Sequence, residues 1–132
     1  MPRLTKGGKW VYGYVVVGDD RYMRLPYDTC SDYGFREGDA VVFLTGGAAT
    51  GGFELGTPEC VAGLMASRML GRSIVEAGRR IRVPEDVDLT QGQPLLAVRK
   101  NTRTLAMIEK GPLYEAAASY PRLPLYLPED GL

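Results

Sequence analysis

Polar and apolar positions alternate with a period of two at Tyr22-Met23-Arg24-Leu25, which sends Met23 and Leu25 inward and leaves Tyr22 and Arg24 outside. The same phase returns at Arg80-Ile81-Arg82-Val83, with Arg80 and Arg82 outward. A proline closes each strand, Pro26 and Pro84, since it brings no donor to a ladder and biases its predecessor toward extended backbone. Trp10 to Val17 reads as a strand rich in aromatic and β-branched residues, followed by the turn chemistry of Gly18-Asp19-Asp20. By alternation, Trp10, Tyr12 and Tyr14 share one strand face. With Tyr22 they offer either an aromatic platform or plain packing.

Tyr27 to Tyr33 reads as a short helix stopped at Gly34, and its counterpart Glu85 to Val87 as a turn. Val41 to Leu44 and Leu95 to Val98 are continuously apolar, the pattern of strands buried on both faces. Fourth strands are expected at Phe53-Glu54-Leu55 and Leu105 to Ile108. Thr57 as cap with Pro58 behind it starts a helix expected over Cys60 to Leu70, and Gly111-Pro112 starts another over Leu113 to Ser119. Pro121, Pro124 and Pro128 space Leu123, Leu125, Tyr126 and Leu127 in a segment, 120–132, better suited to an extended strap than to a helix.

The chain thus states one pattern twice. Pro26 and Pro84 lie 58 positions apart, and Gly38 and Gly92 lie 54 apart, so the second copy is shorter by about one helical turn. Two copies this short cannot each bury a core. The reading is one domain over 1–132, made of a first unit (10–66), a second unit (67–119) and the C-terminal strap (120–132).

The 132 residues hold 16 basic and 16 acidic side chains, no histidine and two cysteines. Without histidine the commonest general base is missing, and two unspaced thiols make neither a zinc site nor a disulfide framework. No enzyme, metal or cofactor is expected. No segment approaches the ~20 apolar residues of a membrane span, and Met1 to Lys9 lacks the apolar core of a secretion signal, so the expectation is a cytoplasmic protein. Charge is uneven: residues 1–66 hold six basic and eight acidic side chains, and 67–132 hold ten and eight. Between Arg68 and Arg103, eight basic residues face four acidic ones. Arg72, Arg79, Arg80 and Arg82 are the candidate phosphate contacts, with Lys6 and Lys9 of the N-terminal arm as auxiliaries. The glycine-rich run from Gly46 to Gly52 lacks the Lys-Ser/Thr ending of a nucleotide loop and joins two strands, so a hairpin loop is expected.

The succession of polar turn, outward Arg, apolar-Arg-apolar-Pro, short helix, Gly-Asp and apolar strand resembles the SpoVT/AbrB-like family of swapped-hairpin barrels, over roughly 10–56 and again 68–108. The resemblance implies a mainly β fold, a small barrel closed by two β-β-α-β-β units, and a DNA-binding, transcription-regulator-type function. Relatives assemble the barrel from two chains, whereas here one polypeptide carries both units, as a monomeric pseudo-dimer or a homodimer of such chains. The sequence departs from the pattern in the first unit, where Asp19, Asp20, Asp28 and Asp32 put acid where DNA binders carry base. The alternative is a nonenzymatic module that has kept the barrel and binds a protein partner through Pro121, Leu123, Pro124 and Tyr126.

Overall fold

The computed structural model describes residues 10–90 and 92–128. Mainly β with short helices, it is built on β1 (Val11–Val15), β2 (Tyr22–Arg24), α1 (Tyr27–Tyr33), β3 (Ala40–Thr45), β4 (Phe53–Gly56), α2 (Pro58–Val61), α3 (Met65–Arg68), β5 (Met69–Ile74), β6 (Arg80–Arg82), β7 (Leu95–Arg99), β8 (Leu105–Ile108), α4 (Pro112–Ala117) and β9 (Leu125–Tyr126). Seven strands form one sheet in the order β5-β3-β4-β8-β7-β1-β9, and β2 pairs with β6 in a separate two-stranded ribbon. The ladders among the described residues leave the sheet open, so the expected closed barrel is not formed by hydrogen-bonded strands all the way round.

Alternation decides what each strand buries. Phe43 of β3, Phe53 and Leu55 of β4, Ala97 of β7 and Leu105 and Met107 of β8 point to the face covered by the ribbon, where Met23, Leu25, Ile81 and Val83 are fully buried against them. The rings of Phe43 and Phe53 pack at 5.5 Å. The other face is covered by helices. Val42 and Leu44 meet Val61 of α2, while Leu96, Val98, Ala106 and Ile108 lie beneath Leu113, Tyr114 and Ala117 of the α4 segment. Two covered faces explain why β3 and β7 read as unbroken apolar runs.

The short helix Tyr27–Tyr33 ends where expected, at Gly34 in the left-handed region with φ 71°. Thr29, buried, donates its hydroxyl to Pro26 O at 2.6 Å, the same oxygen that its main-chain N–H reaches at 3.0 Å. The second helix is a correction. Thr57 caps it and Pro58 opens it, and helix runs to Val61, tightens to a 3-10 turn at Ala62–Leu64 around Gly63, resumes over Met65–Arg68 and gives way to strand at Met69, short of the expected end at Leu70. Glycine lowers helix propensity, and pairing of Met69 with Leu44 supplies ladder bonds that the last helical turn would forgo.

The strand Val11–Val15 contains a bulge: Val11 pairs with Val98 and Gly13 with Ala97, leaving Tyr12 extra. The expected common face of Trp10, Tyr12 and Tyr14 is therefore broken. Tyr12 enters the principal core, and Tyr14 packs with the second cluster beside Tyr114, ring to ring at 6.3 Å. A like irregularity in β5 leaves Leu70 extra beside Gly71. Both glycines keep positive φ, 145° at Gly13 and 158° at Gly71.

The strap lies against its own chain. Leu125 and Tyr126 run parallel to Tyr14 and Val15, with Tyr14 N donating to Pro124 O at 2.8 Å and Val16 N to Tyr126 O at 3.0 Å. A Cβ on Gly13 would sit 2.5 Å from Pro124 O, so only glycine lets the strap approach this closely. No helix among the described residues is long and apolar enough to cross a membrane.

Candidate functional site

The ribbon brings the halves of the chain together through three residue pairs: Tyr22 with Arg82, Met23 with Ile81, and Arg24 with Arg80. Because side chains alternate, the central apolar pair faces the core while Tyr22, Arg24, Arg80 and Arg82 project to the other side. Three arginines thus share one exposed surface. Two of them, Arg80 and Arg82, are among the residues expected to contact phosphate; Arg24 was legible as outward but not as part of the set.

Each turn before a ribbon strand holds an arginine in the left-handed region, Arg21 at φ 69° and Arg79 at φ 63°. This conformation is unfavourable for a residue with a Cβ. The guanidinium groups compensate by crossing the ribbon. Arg79 donates from Nε to Leu25 O at 3.0 Å, and Arg21 from Nε to Val83 O at 3.0 Å and from Nη2 to Pro84 O and Val87 O, both at 2.5 Å. The Arg79 guanidinium also stands 5.5 Å from the Tyr27 ring centre. Arg79 is therefore a strut of the fold first and a surface charge second.

Acidic neighbours engage the outer arginines. Arg82 meets the Glu85 carboxylate at 2.6 Å, and this hydrogen bond holds the Glu85 carboxyl below its ordinary range and raises the guanidinium of Arg82. Arg80 lies 4.4 Å over the Tyr22 ring and 3.9 Å from Asp20, while its Nε is buried with no hydrogen-bond partner. Tyr22 in turn donates to Glu76 at 2.7 Å, and this bond is the main cause of its raised phenol pKa. Arg24 donates to Gly78 O at 2.5 Å and to Leu127 O at 3.3 Å. An approaching phosphate would compete with these internal partners.

Arg72 stands apart from the cluster in which the sequence placed it. It pairs across the ladder with Val42, whose side chain belongs to the helix-covered face, so Arg72 lies on the far side of the sheet from the ribbon. Its side chain makes no hydrogen bond or ion pair with the described residues. Lys6 and Lys9 lie outside the described residues. Comparison with protein-family models, curated proteins and solved structures returns no match.

The strap residues divide into two sets. Leu123 packs into the second cluster and Tyr126 against the principal core, where burial raises the Tyr126 phenol. Pro121 and Pro124 remain exposed. The teeth left outside are Leu125 and Leu127, at 58% and 43% exposure, and these rather than Leu123 and Tyr126 offer apolar surface to a partner. Cys30 and Cys60 are free thiols, and no group of three or more metal-ligating side chains is gathered among the described residues.

Proposed function

We propose that this chain is a single-chain counterpart of a swapped-hairpin AbrB-like dimer, and that it acts as a nonenzymatic, DNA-associated protein of the transcription-regulator type. The observation that carries the reading is the ribbon. It pairs residues 22–24 of the proposed first unit with 80–82 of the second and turns three arginines outward.

Register supports the two-unit reading. Exchanging β1 to β4 for β5 to β8 reads the six-strand order β5-β3-β4-β8-β7-β1 backwards, and therefore leaves it unchanged. Two pairs join a residue to its own counterpart, Met23 with Ile81 and Glu54 with Ala106, as residues on a two-fold axis must. The bulges, the positive-φ glycines 13 and 71, and the positive-φ arginines 21 and 79 exchange in the same way.

A DNA backbone laid on the ribbon would take Arg24, Arg80 and Arg82 as phosphate contacts, releasing roughly three counterions. Binding of a mixed-sequence duplex, followed by fluorescence anisotropy, should weaken with salt on a log–log slope of about −2.7 for three phosphates. Arg80→Ala with Arg82→Ala should flatten the slope. Glu85→Gln, which frees Arg82, should tighten binding.

A second reading is favoured by the internal pairing of Arg80 and Arg82 with Asp20 and Glu85. On this reading the fold has become a protein-interaction module, presenting Leu125 and Leu127 of the strap. Absence of duplex binding at low salt, in both the unmodified chain and the Glu85→Gln variant, overturns the DNA reading and leaves this one.

A further inference from the structure

On the helix-covered side of the sheet, between the parts shielded by α2 and by α4, lies a cleft of about 510 Å³. Its apolar walls come from Val98 of β7, Ala106 and Ile108 of β8, and Leu113 at the start of α4. Residues 46–51 roof it. That loop is held down by two backbone bonds to Thr50 O, from Glu109 N at 3.0 Å and Lys110 N at 3.2 Å. A Cβ on Gly52 would lie only 1.8 Å from Met107 O, so the glycine lets the roof descend onto the sheet.

The charged part of this lining is Glu54 with Lys100. Glu54 sits in the middle of the sheet with its side chain 3% exposed, and its Oε2 receives Lys100 Nζ at 2.5 Å and Arg68 Nη2 at 2.9 Å. Oε1 is equally shielded but has no hydrogen-bond partner. A carboxylate oxygen taken out of water and given no donor is a vacancy in the hydrogen-bonding pattern. Lys100, more than a third exposed, brings N–H donors to the same place. The cleft size falls within the range that encloses a small organic molecule, and its pattern of apolar walls with few convergent polar groups is that of a ligand site.

We propose that this cleft binds a small, uncharged, largely apolar molecule carrying one group that both donates and accepts, an amide or a hydroxyl. On binding, the Glu54 carboxylate turns so that Oε1 accepts from the ligand's donor, and the ligand's acceptor receives a hydrogen bond from an N–H of Lys100 Nζ. A ligand carboxylate would be set against the Glu54 carboxylate. A ligand ammonium would be set against Lys100 and Arg68. A neutral amide or hydroxyl meets neither penalty, and the apolar walls select the rest of the molecule.

The test uses the isotopically labelled full chain, titrated with benzamide, phenol, toluene and benzoate while amide chemical shifts are followed. Benzamide and phenol should shift Val98, Ala106 and Ile108, with affinity at least about tenfold above toluene and benzoate. Glu54→Gln should reduce the benzamide preference about tenfold and leave toluene unchanged; Ala106→Leu, which fills the cleft, should abolish binding of all four. Toluene equal to benzamide would make the cleft a purely apolar cavity, and benzoate in the lead would make it an anion site. Either result overturns the proposal, as does the absence of shifts at these residues with every probe. The ranking is read on the unmodified chain, so it stands even if a substitution costs the fold, and it is independent of any DNA binding by the ribbon.

Discussion

Arg21 and Arg79 adopt the same left-handed backbone, at φ 69° and 63°, on the two turns that lead into the ribbon, and each reaches across it from Nε to a main-chain oxygen at 3.0 Å. Backbone strain and side-chain bonding act against each other at one residue. Arg79→Ala keeps the strained backbone and loses the bond, whereas Arg79→Gly loses the bond and relieves the strain. Alanine should therefore be the more destabilising of the two, by roughly 0.5–1 kcal/mol, as measured by urea denaturation. Equal losses would show that the turn is not strained.

Arg21 carries more. Its three bonds to carbonyl oxygens bridge the turn to the Val83–Val87 segment, which has no helix of its own to hold it. Charge-assisted bonds of this kind are each worth more than a neutral one, and with the side chain 21% exposed we expect Arg21→Ala to cost about 2 kcal/mol in total. Amide exchange should accelerate across residues 84–88 as well as at the turn itself. A loss confined to the turn would mean that the bridge is not holding the second segment.

Gly13 and Pro124 make a second test of packing. Placing a Cβ at Gly13 drives it to 2.5 Å from Pro124 O, so Gly13→Ala must lift the strap or bend the strand. The expected cost is about 1–3 kcal/mol. In a chain ending at Ser119 the clash partner is gone, so the same substitution should cost distinctly less. A double-mutant cycle by thermal or denaturant unfolding reads the difference, and additive effects would place the strain in the strand alone.

How much of this was legible follows from what kind of information each feature needs. The phase of Met23, Leu25, Ile81 and Val83, the stop at Gly34 and the cap at Thr57 depend on local pattern, and all appear where the sequence put them. The bulge at Tyr12 does not: it inserts one residue into an otherwise regular alternation, and only the partner strand reveals it. The expected helix over Cys60 to Leu70 is interrupted at Ala62–Leu64 and stops at Arg68, its end set by a distant partner too, because Met69 pairs with Leu44 of β3, 25 residues upstream. At the ribbon, the arginines could be found but not their partners. Glu85 lies three residues from Arg82 and could have been suspected; Glu76 on Tyr22 and Asp20 on Arg80 depend on how the halves interlock.

Alkaline stability offers a separate check on the core. Burial is the largest cause of the raised phenol pKa values of Tyr12, which also donates to Asp32 at 2.7 Å, and of Tyr33, pushed up to about 12. A phenol that titrates later in the folded state than in the unfolded chain, where it ionises near ~10, favours folding while both forms are protonated. That contribution is intact below about pH 10 and is lost as pH rises through the folded value near 12. Stability should therefore fall between pH 10 and 12, with each such tyrosine contributing up to about 1.4 kcal/mol per pH unit. Tyr33→Phe gives up the bond to Thr104 O at 3.0 Å, and so should be less stable at neutral pH yet show a shallower alkaline decline. Parallel curves for the two proteins across this window would mean that the Tyr33 phenol ionises as readily in the folded chain as in the unfolded one.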